Sequence, residues 1–130
     1  MARLRILRVR VERHEGCVAV AVSLGHDGEV ATGQVDRPEA EAEGARMAAE
    51  ATLEALRQIA PVPARWTLAH AVTSTMAAGR AVLVDVVLET EDREEHLIGS
   101  ALRPSAPLEE IAARAVVDAV DRRLGWLIRT

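Results

Sequence analysis

Two short segments of the sequence share a motif whose residue types suit the binding of a small anion. Residues 33–38 and 99–104 both read Gly-x-x-x-Arg-Pro, and each lies between an alternating apolar segment and an Ala-rich one. We expect a strand to end at the glycine and a helix to begin after the proline, which leaves unpaired N–H groups at the positive end of the helix dipole. The neighbouring arginine would add bidentate hydrogen bonds to a carboxylate or phosphate.

The motif therefore predicts a site for a small carboxylate or an amino acid, enclosed by the two junctions together. An alternative remains open, in which the glycine only relieves a tight exit, the proline starts the helix and the arginine is solvated. The predicted ligand-binding residues are Gly33, Asp36, Arg37, Gly99, Ser100 and Arg103.

Other residues that could do chemistry are few. His14, His26, His70 and His96 have no recurrent metal-ligand spacing, and Cys17 is the single cysteine. This pattern predicts no metal site and no cofactor. We expect Cys17 to be a small packed residue at the start of a strand, and the protein to be non-catalytic.

The two motifs belong to a longer internal repeat. Residues 18–38 align with residues 82–104, because each segment has an alternating strand, a polar turn, a second strand and the motif. Residues 48–56 then match residues 112–120 in the spacing of their alanines. Each half reads strand, strand, strand, helix.

This order predicts an α+β fold of two tandem β-β-β-α units related by a pseudo-twofold axis, with antiparallel sheets and helices on one face. We expect one domain over residues 1–130, with internal repeats at 1–60 and 65–130 and a short separator at 60–65 that is stiffened by Pro61 and Pro63.

Local patterns predict where the elements begin and end. Asp27 and Gly28 suit a tight hairpin turn, and the phase change near Leu7 and Arg8 predicts a β-bulge in the opening strand. The helices are predicted at about 38–60 and 106–127, the first with Asp36 in the capping position and Glu39 three residues later.

The composition narrows the class of partner. Of the 130 residues 49% are hydrophobic but only 2% aromatic, and the net charge is −4. No basic field exists to attract nucleic acid, and no apolar run is long enough to span a membrane, so neither is an expected partner. The single cysteine and the charged amino terminus predict a cytoplasmic protein.

Charge also predicts self-association. The opening strand carries Arg3, Arg5, Arg8, Arg10 and Arg13, while residues 89–95 are rich in acidic side chains. If the arginines share an uncovered sheet face, they could meet the acidic run of a second copy and form a homodimer. In the alternative, the arginines solvate an edge strand and oppose aggregation.

The segment LIGSALRPSAPLEEIAARAVVDAVDRRL at residues 97–124 resembles the second junction and helix of a known family. The family is the carboxy-terminal regulatory, or allosteric dimerisation, domain of α-isopropylmalate synthase and citramalate synthase, which is also a pair of β-β-β-α units. The chain departs from that family at residues 33–36, which read Gly-Gln-Val-Asp where the family usually has Gly-x-Gly-Pro.

The resemblance implies a regulatory module that senses an amino acid or small carboxylate and acts with a separate catalytic polypeptide. Together with the duplicated motif, it predicts a non-catalytic, small-molecule-binding homodimer. The second hypothesis is a structural self-association module that binds no ligand.

Overall fold

The computed structural model describes residues 4–59 and 65–129, and it contains two successive β-β-β-α units. In chain order the elements are β1 (Arg5–His14), β2 (Cys17–His26), β3 (Glu29–Pro38), a short 3-10 helix (Glu39–Glu41), α1 (Gly44–Ile59), β4 (Arg65–Met76), β5 (Gly79–Glu89), β6 (Glu94–Arg103) and α2 (Leu108–Arg129). The predicted α+β class and the internal duplication are therefore confirmed. Arg3, Pro61 and Pro63 lie outside the described residues.

Each unit forms its own antiparallel three-stranded sheet, with the order β1-β2-β3 in the first sheet and β4-β5-β6 in the second. In the middle strands successive side chains point to opposite faces of the sheet. Every second one is apolar and is fully buried beneath the helices, as Val20 and Val22 are in β2. We call this side of each sheet the inner face and the opposite side the outer face. The hairpin turn predicted at Asp27 and Gly28 is confirmed, since both residues have positive φ.

The opening strand contains the predicted bulge. The register of β1 against β2 shifts between Ile6 and Arg8, which lets apolar residues before and after Leu7 face the same side. The same shift occurs in β4 between Leu68 and His70, at the corresponding place in the second unit. The bulge is thus a feature of both units.

The strand register corrects the sequence alignment of the repeats by two residues. Val22 pairs with Gly33 in the first sheet, and Val84 pairs with Gly99 in the second. Val22 is therefore equivalent to Val84, whereas the alignment of residues 18–38 with 82–104 matched it to Val86. The offset between the units is thus 62 in the middle strands and 66 in the third strands, because the β5–β6 hairpin has one more residue pair and a turn at 90–93 that is two residues longer than the turn at 27–28.

Two predictions about the junctions are wrong. Gly33 and Gly99 do not end their strands but lie inside β3 and β6, paired with the middle strand on the inner face. The first helix begins at Gly44 instead of near residue 38, whereas the second begins at Leu108, close to the predicted residue 106. In the first unit the backbone N–H of Glu39 donates to the carbonyl of Gly16, which holds the start of the short 3-10 helix against the β1–β2 turn and separates it from α1.

The two units share one continuous apolar core. The helices α1 and α2 pack against each other, and each also contacts the first strand of the other unit, α1 against β4 and α2 against β1. A guanidinium N–H of Arg57 in α1 donates to the carbonyl of Trp66 in β4, and the backbone N–H of Leu4 donates to Asp121 in α2. Each helix therefore connects the two sheets.

Candidate functional site

Two grooves lie where the units meet, and they occupy equivalent places in the fold. The larger one, which we call the Arg103 groove, has a volume of about 870 Å³ and lies between β6, α2 and the beginning of β1. It combines arginine and aspartate side chains with a small apolar wall. Its lining residues are Leu4, Arg5, Ile6, Ser100, Ala101, Arg103, Arg114, Val117, Asp118 and Asp121.

The smaller one, which we call the Arg37 groove, has a volume of about 320 Å³ and lies between β3, α1 and the beginning of β4. Its lining residues are Val35, Arg37, Arg46, Glu50, Leu53, Glu54, Arg57, Thr67 and Leu68. Because the two units have the same architecture, Arg37 and Arg103 each lie in a separate groove. The sequence had predicted one cleft shared by both arginines.

In the Arg37 groove every arginine is paired with a carboxylate. A guanidinium nitrogen of Arg37 lies 3.2 Å from Glu50 Oε1, and Arg46 Nε lies 3.5 Å from the other oxygen of the same carboxylate. Arg57 pairs with Glu54 one turn further along α1. An anion entering this groove would have to displace a carboxylate that is already in place.

The Arg103 groove has the opposite arrangement. Ala51 and Ala115 occupy equivalent positions beneath Gly33 and Gly99, so the position of Glu50 in α1 corresponds to Arg114 in α2. At this helix position Arg37 has the carboxylate of Glu50 as its neighbour, whereas the groove of Arg103 has the guanidinium of Arg114. Arg114 pairs with Glu110, its Nε lying 3.3 Å from Oε2 on the preceding turn of the same helix.

The guanidinium of Arg103 donates to the carbonyl of Leu102, over 2.7 Å. Among the residues that the structure describes, no carboxylate oxygen lies within 4.0 Å of this guanidinium or of that of Arg5. Two arginines without a carboxylate partner thus line one groove. A small anion is the kind of ligand that would complete their charge and hydrogen bonding.

The two aspartates of the groove hold backbone groups. Asp118 Oδ2 accepts the backbone N–H of Ser100 over 3.0 Å, and Asp121 Oδ1 accepts the backbone N–H of Leu4 over 3.2 Å. These bonds tie the exposed edge of β6 and the beginning of β1 to α2. The aspartates thereby fix the walls of the groove.

The predicted site residues separate into three groups. Ser100 and Arg103 line the larger groove, and Arg37 lines the smaller one. Asp36 lies on the outer face of the first sheet and accepts a hydrogen bond from the side chain of Gln34, at 3.0 Å. Gly33 and Gly99 have a packing role instead, described next.

Both motif glycines are places where a helix backbone touches a strand. A Cβ built on Gly33 would collide with the carbonyl of Ala51 and would lie 2.5 Å from the backbone nitrogen of Ala55. A Cβ on Gly99 would collide in the same way with Ala115 and would lie 2.5 Å from the backbone nitrogen of Ala119. The motif was therefore duplicated together with the alanines that cover it.

Sequence reasoning missed Arg5, Arg114, Asp118 and Asp121. The signal for Arg114 was present, because α2 carries Glu110 before Arg114 where α1 carries Arg46 before Glu50. The two helices thus have the same i,i+4 pair in the opposite order. This reversal brings an arginine to the groove.

The arginines predicted on β1 do not share one face. Arg8 and Arg10 lie on the outer face, opposite Ser23 and Ala21. Arg13 is opposite the buried Val18, and thus lies on the other side of the sheet. The arginine stripe expected from the sequence is therefore split between the two sides.

The described histidines form no metal centre: in the part of the chain that the structure describes, no three His, Cys, Asp or Glu side chains are grouped to hold a metal ion. His96 Nδ1 lies 2.8 Å from Asp85 Oδ1 on the outer face of the second sheet. The hydrogen bond to Asp85, together with the charge of that carboxylate, raises the pKa of His96 above its ordinary value of 6.5.

Cys17 begins β2 as predicted but is exposed, so its expected packing is wrong. It lies directly opposite His14 at the end of the β1–β2 hairpin. Its position in the strand explains the exposure, because Cys17 alternates with the buried Val18 and therefore lies on the outer face.

No known protein-family model matches the sequence, and no curated protein matches it significantly. The resemblance to the regulatory domain of α-isopropylmalate synthase remains a prediction. Within residues 4–59 and 65–129, no helix has the length and apolar composition required to cross a membrane.

Proposed function

We propose that this chain is a non-catalytic regulatory module that binds a small anionic molecule, a carboxylate or an amino acid, in the Arg103 groove. The observation that carries the proposal is the difference between two equivalent arginines. Arg37 is paired with Glu50, whereas Arg103 shares its groove with Arg114 and has no carboxylate oxygen within 4.0 Å among the described residues.

The position of the groove suits a regulatory role. Its walls come from β1 of the first unit and from β6 and α2 of the second, so a bound anion would touch both units at once. An anion held by Arg5 and Arg103 would add a connection between the units, in addition to the bond from Leu4 to Asp121. Ligand binding would then strengthen the contact between the two units, and this change would be the regulatory signal.

The resemblance to the regulatory domain of α-isopropylmalate synthase agrees with this proposal in kind. A module of this type passes its ligand state to another polypeptide, and we propose that it does so in the cytoplasm, where a single exposed thiol such as Cys17 stays reduced. The first-unit motif of that family keeps its first glycine here as Gly33 but has Val35 and Asp36 in place of the second glycine and the proline, and we place the ligand in the second unit for the physical reason given above.

Thermal unfolding in the presence of a panel of small carboxylates and amino acids tests the proposal. A ligand at about one hundred times its dissociation constant stabilises the folded state by about 2.7 kcal/mol. We expect Arg103→Ala to abolish the stabilisation and Arg37→Ala, its matched control, to retain it. Sodium chloride at equal ionic strength separates binding from general screening.

Two outcomes would count against the proposal. The first is that no carboxylate or amino acid changes the unfolding temperature beyond the chloride control. The second is that Arg37→Ala and Arg103→Ala lose the stabilisation equally, because the difference between the two grooves is the basis of the assignment.

The second candidate function is a structural self-association module. The observation that favours it is a set of exposed apolar side chains on the outer face of the second sheet, including Val72, Leu83 and Ile98. Self-association and anion binding use different surfaces, so one can be wrong while the other holds.

A further inference from the structure

The outer face of the second sheet carries an apolar patch that the fold leaves uncovered. Val72 of β4 lies directly opposite Leu83 of β5, and Ile98 of β6 lies opposite Asp85 one row further along, so the apolar side chains adjoin across three strands. Each of them is between 39% and 57% exposed. The patch consists of Val72, Met76, Leu83, Ile98 and Leu102.

The first sheet shows that the architecture does not require this patch. Counting along the strands from the equivalent glycines Gly33 and Gly99 gives the residue of the first sheet that corresponds to each member of the patch. All of these counterparts are charged, polar or small. Val72 corresponds to Arg10, Met76 to His14, Leu83 to Ala21, Ile98 to Thr32 and Leu102 to Asp36.

We propose that the apolar patch is the self-association surface of this chain, and that its occupant is the same face of a second copy. The inference makes the second candidate function specific and rests on it, while it is independent of anion binding. Two such faces stacked about a twofold axis would form a β-sandwich between copies, with the apolar side chains of both sheets in contact.

The first sheet is a poor occupant for the patch. Its outer face carries Arg8, Arg10 and Glu12, and covering them with apolar side chains would remove charges from water without a new partner. If the outer face of the second sheet bound the outer face of the first sheet of another copy, each pair would keep one free face of each kind, and the assembly would continue into a filament. Contact between two outer faces of the second sheet closes as a dimer.

The area of the sheet determines how the copies must be aligned. Strands of about ten residues, rising about 3.3 Å per residue and spaced about 4.8 Å apart, give a three-stranded face a footprint of roughly 460 Å². Specific interfaces use about 800 Å² per partner, and weaker ones use less. Only strands that are nearly aligned overlap over this whole face, so we expect an aligned, reversible dimer.

Charge selects the direction of the strands. The turn between β5 and β6 carries Glu91 and Asp92 at one end of the sheet, while the exposed Met76 and Leu102 lie at the other end of the outer face. Copies stacked with the same ends together would bring the two acidic turns close to each other. Antiparallel stacking keeps the two acidic turns at opposite ends of the dimer, which is favourable.

Sedimentation velocity over a wide range of protein concentration tests the surface. The variant Val72→Arg with Ile98→Thr introduces the residues that the first sheet has at the same positions, so we expect it to fold. We expect it to weaken the dimer by at least about tenfold. The control Arg8→Ala with Arg10→Ala alters the outer face of the first sheet and should leave the dimer constant unchanged.

Each outcome decides a different point. A dimer that is lost only in the Val72/Ile98 variant supports the proposal. A dimer that persists in that variant but is lost in the Arg8/Arg10 variant keeps self-association and overturns this surface. A wild-type protein that remains monomeric at the highest concentration overturns both.

Discussion

Gly33 lies directly against the backbone of Ala55, and a Cβ atom on this glycine would be 2.5 Å from the Ala55 backbone nitrogen. The same contact exists between Gly99 and Ala119 in the second unit. Glycine and alanine together let a helix approach its sheet to backbone contact, which is closer than any larger side chain permits. The glycine of the repeated Gly-x-x-x-Arg-Pro motif is thus required for packing, while the arginine of the second copy is the candidate for ligand binding.

Gly33→Ala and Gly99→Ala are therefore expected to destabilise the protein. The added methyl would meet backbone atoms of α1 or α2, which cannot rotate away, and overpacking of this kind typically costs about 1–3 kcal/mol. Chemical denaturation measures the change in the free energy of unfolding.

Gly44→Ala is the matched control for these glycines. A Cβ there would meet the end of the Glu109 side chain, which can move, and alanine is favoured over glycine in a helix. We expect the control to be neutral or slightly stabilising. Equal losses in all three variants would contradict the backbone-contact explanation.

The sequence was sufficient to predict the repeats, because each unit carries its own local signals. Alternating valines in β2 and β5 and the Asp27–Gly28 turn depend on neighbours in the chain, and the structure confirms the element order they predict. The bulge near Leu7 was also predictable, since it is required to keep Ile6 and Val9 on the same side.

The start of α1 was not predictable, because it depends on a contact distant in sequence. The spacing of Asp36 and Glu39 resembles a capping box, but Pro38 continues β3 and the N–H of Glu39 bonds to Gly16. Likewise, a glycine in a strand sequence can indicate a strand end or a close backbone approach. Only the alanines at 51 and 55, one element later, distinguish these two meanings.

The candidate groove was only half predictable. Ser100 and Arg103 belong to the repeated motif, whereas Arg5 comes from the other unit and Arg114 from the helix. A sequence repeat emphasises what the two units share. The property that matters for binding is the difference between Glu50 and Arg114 at one shared position.

That difference predicts the effect of transferring the charges of α1 to α2. Glu110→Arg combined with Arg114→Glu gives α2 the same order of charges as Arg46 and Glu50, and it keeps an i,i+4 ion pair. The new glutamate would neutralise Arg103, so we expect anion binding to be lost while the unfolding temperature without ligand changes little. Calorimetric titration with the strongest carboxylate of the panel measures the loss.

The variant Arg114→Lys is the control for this charge exchange. Arg114→Lys keeps the positive charge, and it should weaken anion binding without abolishing it. If the charge exchange leaves the affinity unchanged, Arg114 does not contribute to the site.

The two motif arginines should also differ in ligand-free stability. Arg37 is 43% exposed and paired with Glu50, so Arg37→Ala is expected to lower the free energy of unfolding by about 0.2–1 kcal/mol. Arg103 has no carboxylate oxygen within 4.0 Å among the described residues, so Arg103→Ala breaks no ion pair and should be close to neutral. Urea denaturation at low ionic strength measures both, and a larger loss in Arg103→Ala than in Arg37→Ala would contradict the assignment of charges in the grooves.

His96 provides a test of the outer face of the second sheet by titration. Its hydrogen bond to Asp85 raises its pKa above 6.5, and Glu94, with Oε1 at 3.7 Å from Nε2, adds a smaller effect in the same direction. The raised pKa means that the stabilisation is fully present below pH 6.5 and is lost as the pH rises through the pKa of the folded protein. Asp85→Asn should therefore lower the His96 pKa in an NMR titration, and should destabilise the protein more at about pH 5.5 than at about pH 9. Glu94→Gln should lower the pKa less, and a His96 pKa that is the same in wild type and Asp85→Asn would show that the two side chains do not bond in solution.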